Sequence, residues 1–231
     1  MNAIELNETQ QDAYNSLIDF INSDKNELLL IGYAGTGKTT LITKFINDII
    51  NNNLCRKIAI VAPTHKAVNV AKSKLFDISN NELSKRIIIM TIHRLLNYKN
   101  YVDSNGEKYF ATSATDPNLA IYNLIVIDEC SMLSNQIIHD ISNQLSKKDN
   151  TKLKIIYVGD PAQLPPVNQR HTEIFKKDID KICLDKIIRT SNNQIMELSK
   201  EHRKWIFGDK QNDIPKIFNY ICDKITIYSI K

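Results

Sequence analysis

An α/β fold built on a doubly wound parallel sheet is predicted by three features of this 231-residue sequence. Short apolar runs alternate with amphipathic, helix-like stretches, the signature of repeated βαβ units. Several of the runs are apolar on both faces, as strands covered by helices on either side are. A glycine-rich loop separates the first run from the helix-like stretch behind it, which is the strand–loop–helix context of a phosphate-binding loop.

The first helix is expected over residues 8–21, where Ala13, Leu17, Phe20 and Ile21 form an apolar stripe. Strands are expected at 28–31, 58–62, 87–91, 124–128 and 153–159, and helices at 38–50, 65–76 and 134–145. Ligands of such sheets bind at the carboxyl ends of the strands, and the chemically suggestive residues fall there. Residues 97–118 break the rhythm. Tyr98, Tyr101, Tyr109 and Phe110 flank Asp103-Ser104-Asn105-Gly106, and Asn-Gly between aromatic, strand-prone residues signals an inserted β-hairpin.

Bulk properties narrow the function. The hydrophobic fraction of 42% and charged fraction of 24% are those of a globular domain. No apolar run approaches the roughly 20 residues of a membrane span, so no membrane partner is expected. The N-terminus lacks the basic and apolar regions of a secretory signal. Cys55, Cys130, Cys183 and Cys222 are far apart and read as intracellular thiols, not a zinc site. The expected location is the cytoplasm, or a host's cytoplasm for a phage gene. A net charge of +4 permits a nucleic-acid partner without requiring one.

The loop is Gly32-Tyr33-Ala34-Gly35-Thr36-Gly37-Lys38-Thr39, and it holds three of the six glycines. Glycine lets the backbone aim successive N–H groups at phosphate, and the following helix N-terminus adds a positive dipole end. Lys38 is expected to reach the β- and γ-phosphates and Thr39 to ligate Mg²⁺. A second element, Leu124-Ile125-Val126-Ile127-Asp128-Glu129, is a buried strand ending in two carboxylates. Paired acids there are costly unless something cationic uses them. Asp128 is expected to hold Mg²⁺ and Glu129 to orient the attacking water; an ordinary acidic turn is the alternative. A third cluster, Gly159-Asp160-Pro161-Ala162-Gln163-Leu164-Pro165-Pro166, carries half of the six prolines. Proline stiffens a loop, which would hold the Gln163 amide beside the phosphates as a sensor; a rigid turn without that role is the alternative.

Taken together, these segments resemble superfamily 1 DNA helicases of the RecD-like and phage Dda type. The loop through Thr40 matches the family's phosphate loop, and residues 128–132, Asp-Glu-Cys-Ser-Met, match its motif II. Residues 159–167 match its motif III most specifically. Leu6-Asn7-Glu8-Thr9-Gln10-Gln11 is similar to the adenine-reading glutamine motif, which implies Gln10 as the contact. Ala62-Pro63-Thr64-His65-Lys66-Ala67 resembles motif Ia and Thr91-Ile92-His93-Arg94-Leu95-Leu96 resembles motif Ib. In the family both touch single-stranded DNA, which implies Pro63, Thr64, His65, Thr91 and His93. Without the family pattern either histidine reads as a structural hydrogen-bonding residue. Residues 184–189 resemble the start of motif IV, whose arginine, here Arg189, approaches the γ-phosphate.

The resemblance implies a RecA-like domain, ATP and Mg²⁺ as cofactors, and 5′-to-3′ unwinding. It implies single-stranded DNA and DNA forks as partners, alongside replication or recombination proteins. The hairpin then fits a base platform or a strand-separating pin, with Tyr98 and Tyr109 as candidate contacts; aromatics packed on the domain are the alternative. The expected organisation is a first RecA-like domain over residues 1–182 and the beginning of an incomplete second one over 183–231. A complete motor would need that second domain in cis or in trans. Two other readings stay open: a truncated module that binds nucleotide and DNA without unwinding, and a P-loop ATPase that does not move on nucleic acid.

Overall fold

The computed structural model describes residues 5–75, 85–102, 104–106, 108–113 and 115–186. Six strands form one parallel sheet in the order β3–β2–β6–β7–β1–β8: β1 (Glu27–Gly32), β2 (Ile58–Ala62), β3 (Ile87–Thr91), β6 (Leu124–Ile127), β7 (Lys154–Gly159) and β8 (Asp180–Leu184). The helices are α1 (Glu8–Asn22), α2 (Lys38–Asn51), α3 (His65–Leu75), the one-turn α4 (Ile92–Leu95) and α5 (Asn135–Leu145). Strands β4 (Tyr98–Val102) and β5 (Lys108–Thr112) form the separate antiparallel hairpin, with Tyr101 opposite Tyr109 and Gly106 at φ +82°.

Period-two alternation explains why the central strands are apolar throughout. Leu28, Leu30, Ile58, Ile60, Leu124, Val126, Ile156 and Val158 face Leu17 and Phe20 of α1 and Phe45, Ile46 and Ile49 of α2. Their neighbours Leu29, Ala59, Val61, Ile125, Ile127, Ile155 and Tyr157 face Ile92 of α4 and Ile137, Ile138 and Ile141 of α5. Each buried Leu, Ile, Val or Phe among them contributes about 1.5–3 kcal/mol by leaving water.

Strand β8 differs from expectation. It pairs parallel with β1, Gly32 opposite Leu184, yet only Leu184 is buried and Asp180 and Lys181 are exposed. An edge strand has one neighbour and need not be apolar, so its polarity hid it. It also lies across the expected boundary at residue 182, and the first compact unit runs Met1–Lys186, with Ile187–Lys231 a second.

Gly159 is required by close approach. A Cβ there would lie 2.6 Å from Cys130 Sγ and 3.3 Å from the Cys130 and Ser131 amide nitrogens. Gly159→Ala should cost about 1–3 kcal/mol through overpacking, read as a lower urea midpoint with unchanged slope. An unchanged midpoint would show that the turn carrying motif II can move aside.

Candidate nucleotide and nucleic-acid site

The phosphate loop leaves β1 at Gly32 and enters α2 at Lys38. Gly35 and Gly37 take φ +85° and +83°, a region that costs an L side chain strain. Thr36 is buried and donates its hydroxyl to the Tyr33 carbonyl at 2.9 Å. Lys38 Nζ donates to the Gly32 and Tyr33 carbonyls at 2.6 and 3.0 Å, holding its charge over the loop. The first N–H groups of α2 lack intrahelical acceptors by geometry and point into the same space. Thr39 and Asp128 both border one small, mostly apolar cavity walled by Ile42, Ile60, Val126 and Val158, which places them near each other. Both offer hard oxygen donors of the kind Mg²⁺ takes, so the residues fit that ion.

Asp128 follows β6, and its amide still bonds the Val61 carbonyl at 2.8 Å. Its Oδ1 accepts the Glu129 amide at 2.9 Å. Glu129 takes φ +55° and ψ +41°, a left-handed conformation that is uncommon off glycine and marks functional sites.

Asp160 was not among the expected site residues. It is 1% exposed. Its Oδ2 accepts the Ala34 amide of the phosphate loop at 3.0 Å, and its Oδ1 accepts the Ala162 amide at 3.0 Å. The Gln163 amide bonds the Asp160 carbonyl at 3.0 Å. The turn bearing Gln163 is therefore tied to the phosphate loop by a carboxylate, where the expectation credited the prolines. The Gln163 side chain is exposed, as are Leu164 and Val167. An Asp at a strand end before Pro is a turn-forming signature that would have found it.

Gln10 is 4% exposed and already engaged. Its Oε1 accepts the Asn7 amide at 3.1 Å, and Asn7 Oδ1 accepts the Gln10 amide at 3.0 Å, a capping box on α1. Its Nε2 donates to the Thr36 carbonyl at 3.3 Å. In this structure Gln10 braces the phosphate loop; these bonds use one of the two N–H groups and one of the two lone pairs of its side-chain amide, so an adenine contact would share the amide with them.

The expected DNA edge is built from helix caps. Thr64 Oγ1 accepts the Ala67 amide at 3.2 Å at the start of α3, and Thr91 Oγ1 accepts the Arg94 amide at 3.3 Å at the start of α4. Each hydroxyl accepts in its cap, which leaves its own proton to donate. Thr64 and His65 are exposed, Pro63 half-buried and Thr91 buried. His93 is half-buried, and burial, then the charge of His65, pushes its pKa below the ordinary imidazole value. The unfolded chain therefore takes up a proton near pH 6.5 that the folded chain refuses, so stability falls as pH drops below about 6.5. His93→Gln should flatten the melting-temperature curve between about pH 7 and 5; an equally steep curve would assign the slope to other groups.

The hairpin aromatics divide. Tyr98 is half-buried, meets the His93 ring edge-on at 5.6 Å and donates its hydroxyl to Asp140 Oδ2. Its hydroxyl and ring edge are thus engaged within the protein. Phe110 stacks on His93 at 4.5 Å and 29° while remaining 52% exposed. Tyr109 is placed by its backbone opposite Tyr101. Arg189 lies outside the described residues. No helix among the described residues is long and apolar enough to cross a membrane.

Comparison with known proteins identifies the family and the fold. A family model described as an AAA domain matches residues 16–169. The RecBCD enzyme subunit RecD of Buchnera aphidicola subsp. Schizaphis graminum is 36% identical over 215 residues, covering 87% of this chain and 32% of its own length. The ATP-dependent DNA helicase dda of Enterobacteria phage T4 is 30% identical over 209 residues, covering 87% and 44%. Among solved structures, the Pif1 helicase from Bacteroides in complex with ADP-AlF3 and ssDNA shares the fold, with a TM-score of 0.60 at 21% identity over 89% of this chain and 48% of that one. The chain thus spans 32–48% of the length of these proteins.

Proposed function

The chain belongs to the AAA domain family, as a motor domain of the superfamily 1 helicase type, and from that premise we propose that it hydrolyses ATP to move 5′ to 3′ on single-stranded DNA and open duplex at a fork. One observation carries this reading. The phosphate loop after β1, Thr64 after β2, Thr91 after β3, Asp128 after β6 and Asp160 after β7 all sit at the carboxyl edge of one parallel sheet. That edge is where such sheets bind ligands, and it brings nucleotide chemistry and DNA-phosphate donors within a few strands of each other. The nucleotide and DNA held by the Pif1 relative support the same assignment.

In this reading the loop amides and Lys38 bind the β- and γ-phosphates and balance charge in the transition state. Glu129, turned by its left-handed backbone, orients the water for in-line attack and takes up its proton. Thr39 and Asp128 hold Mg²⁺, which supplies charge neutralisation at the phosphates. Gln163 senses the γ-phosphate from a turn anchored to the loop by Asp160; the γ-phosphate arginine that the resemblance implies is Arg189, outside the described residues. Pro63, Thr64, His65, Thr91 and His93 line the DNA track, where hydroxyl and imidazole contacts to phosphate carry no sequence information. A second RecA-like domain, in cis or in trans, closes over the nucleotide, and replication or recombination proteins are the expected company.

Strand displacement on forked duplexes tests the reading. Displacement from a fork with a 5′ loading tail, and not from one with a 3′ tail, is expected. Displacement only from the 3′ tail would contradict the polarity. No displacement from either, with DNA-stimulated hydrolysis intact, would leave the non-unwinding module as the correct description.

A further inference from the structure

The hairpin's two strands pair only with each other among the described residues, and an isolated two-stranded hairpin is marginal in water. Its orientation must therefore come from its root. There Phe110 stacks on His93, and Tyr98 meets the same ring edge-on and donates its hydroxyl to Asp140 Oδ2. Asp140 sits midway along α5 with its side chain 19% exposed, and its other oxygen accepts Gln136 Nε2 at 3.0 Å. Burial, then the bond to Asp140, holds the Tyr98 hydroxyl well above the usual phenol range, so it stays protonated as donor.

The same helix is tied to the nucleotide side. It starts at the Ser134 cap, directly after the turn that follows Asp128 and Glu129. Its first residue, Asn135, donates its amide to Gln169 Oε1 at 3.2 Å and accepts the Glu173 amide on Oδ1 at 3.1 Å. Gln169 and Glu173 lie on the stretch that leaves the Asp160–Gln163 turn. From Asn135 to Asp140 is about 7.5 Å of helix, a short and stiff connection.

We propose that Asp140 is a positioning residue: through Tyr98 it fixes the hairpin to α5, so that the hairpin is held against the DNA junction by the helix that directly follows the motif II turn and is bonded to the stretch leaving the Asp160–Gln163 turn. The inference rests on the helicase reading above, and it concerns junction opening, not hydrolysis. Asp140 touches neither nucleotide nor the DNA track.

The test uses the full 231-residue chain on a fork carrying 2-aminopurine at the first base pair, whose fluorescence rises when that pair opens. Wild type should raise the signal. Asp140→Leu should lose roughly fivefold of the rise, as the loss of a charge-assisted hydrogen bond allows. Asp140→Asn should retain most of it, because its carbonyl oxygen still accepts the Tyr98 hydroxyl. Tyr98→Phe should match Asp140→Leu, and the double variant should be no worse than either, as two partners of one bond behave. Both Asp140 variants should keep single-strand-stimulated ATP hydrolysis within about twofold of wild type. An unmoved fork signal in Asp140→Leu with hydrolysis intact overturns this inference alone. A parallel loss of fork signal and hydrolysis overturns it too, by showing a merely structural role. Absence of DNA-stimulated hydrolysis in wild type overturns the helicase reading and this inference with it.

Discussion

Lys38→Ala is expected to lower DNA-stimulated ATP hydrolysis by on the order of 10³-fold, the loss found when one preorganised charge-stabilising group is removed. The side chain opens α2, and its ammonium is held by the Gly32 and Tyr33 carbonyls. It is thus placed before nucleotide arrives, and its charge acts with little reorganisation. The substitution removes a partly exposed cation and keeps a good helix former at the first helical position, so the melting temperature should change little. Single-strand affinity without nucleotide should also be preserved, because the track residues follow β2 and β3. Retained hydrolysis in Lys38→Ala would mean that another site binds the triphosphate.

The second large effect is expected at Asp160. Asp160→Ala removes the acceptor of the Ala34 and Ala162 amides, at about 2–4 kcal/mol for two bonds to a buried carboxylate, with water recovering part of the loss. It also releases the phosphate loop from the Gln163 turn, so the KM for ATP should rise by roughly tenfold or more. Asp160→Asn is not a mild change. Its amide keeps one acceptor oxygen but turns an NH₂ toward the second backbone N–H, placing donor against donor. It should therefore lie close to alanine. Urea denaturation and an ATP titration check both effects. A stability loss below about 1 kcal/mol with unchanged KM would show that Asp160 does not anchor the phosphate loop.

How legible each part was follows from how local its cause is. Strands β1, β2, β3 and β7 and helices α1, α2 and α5 declare themselves through apolar runs and stripes that the two core faces bury on both sides of the sheet. The phosphate loop is legible because positive φ at Gly35 and Gly37 restricts the residue type. The hairpin is legible through Asn105-Gly106, with Gly106 at φ +82°. Strand β8 was not legible, since most of its side chains answer to an exposed edge and what defines it is backbone pairing with β1, with Leu184 as its one buried side chain.

The site shows the same division. The motifs marked which residues matter but not what each one touches. Asp160 bonds a residue 126 positions earlier and Tyr98 one 42 positions later, and no local pattern records such partners. Gln10 and the two threonines were legible in kind but not in role. An Asn-x-x-Gln pattern and a Thr before a helix are capping signals in their own right, and here the caps and the expected ligand contacts use the same side chains. The strained Glu129 backbone leaves no trace in the sequence at all, because glutamate is a poor choice for it on conformational grounds alone.

The central claim is that one sheet edge couples a nucleotide site to a single-stranded DNA track. Steady-state ATP hydrolysis by this chain, with and without a saturating single-stranded oligonucleotide, tests it most directly. A clear rise on adding DNA is expected, on the order of tenfold as an allosteric coupling of 1–3 kcal/mol gives, abolished in Lys38→Ala. An identical rate with and without DNA, from protein that binds both ligands, would contradict it.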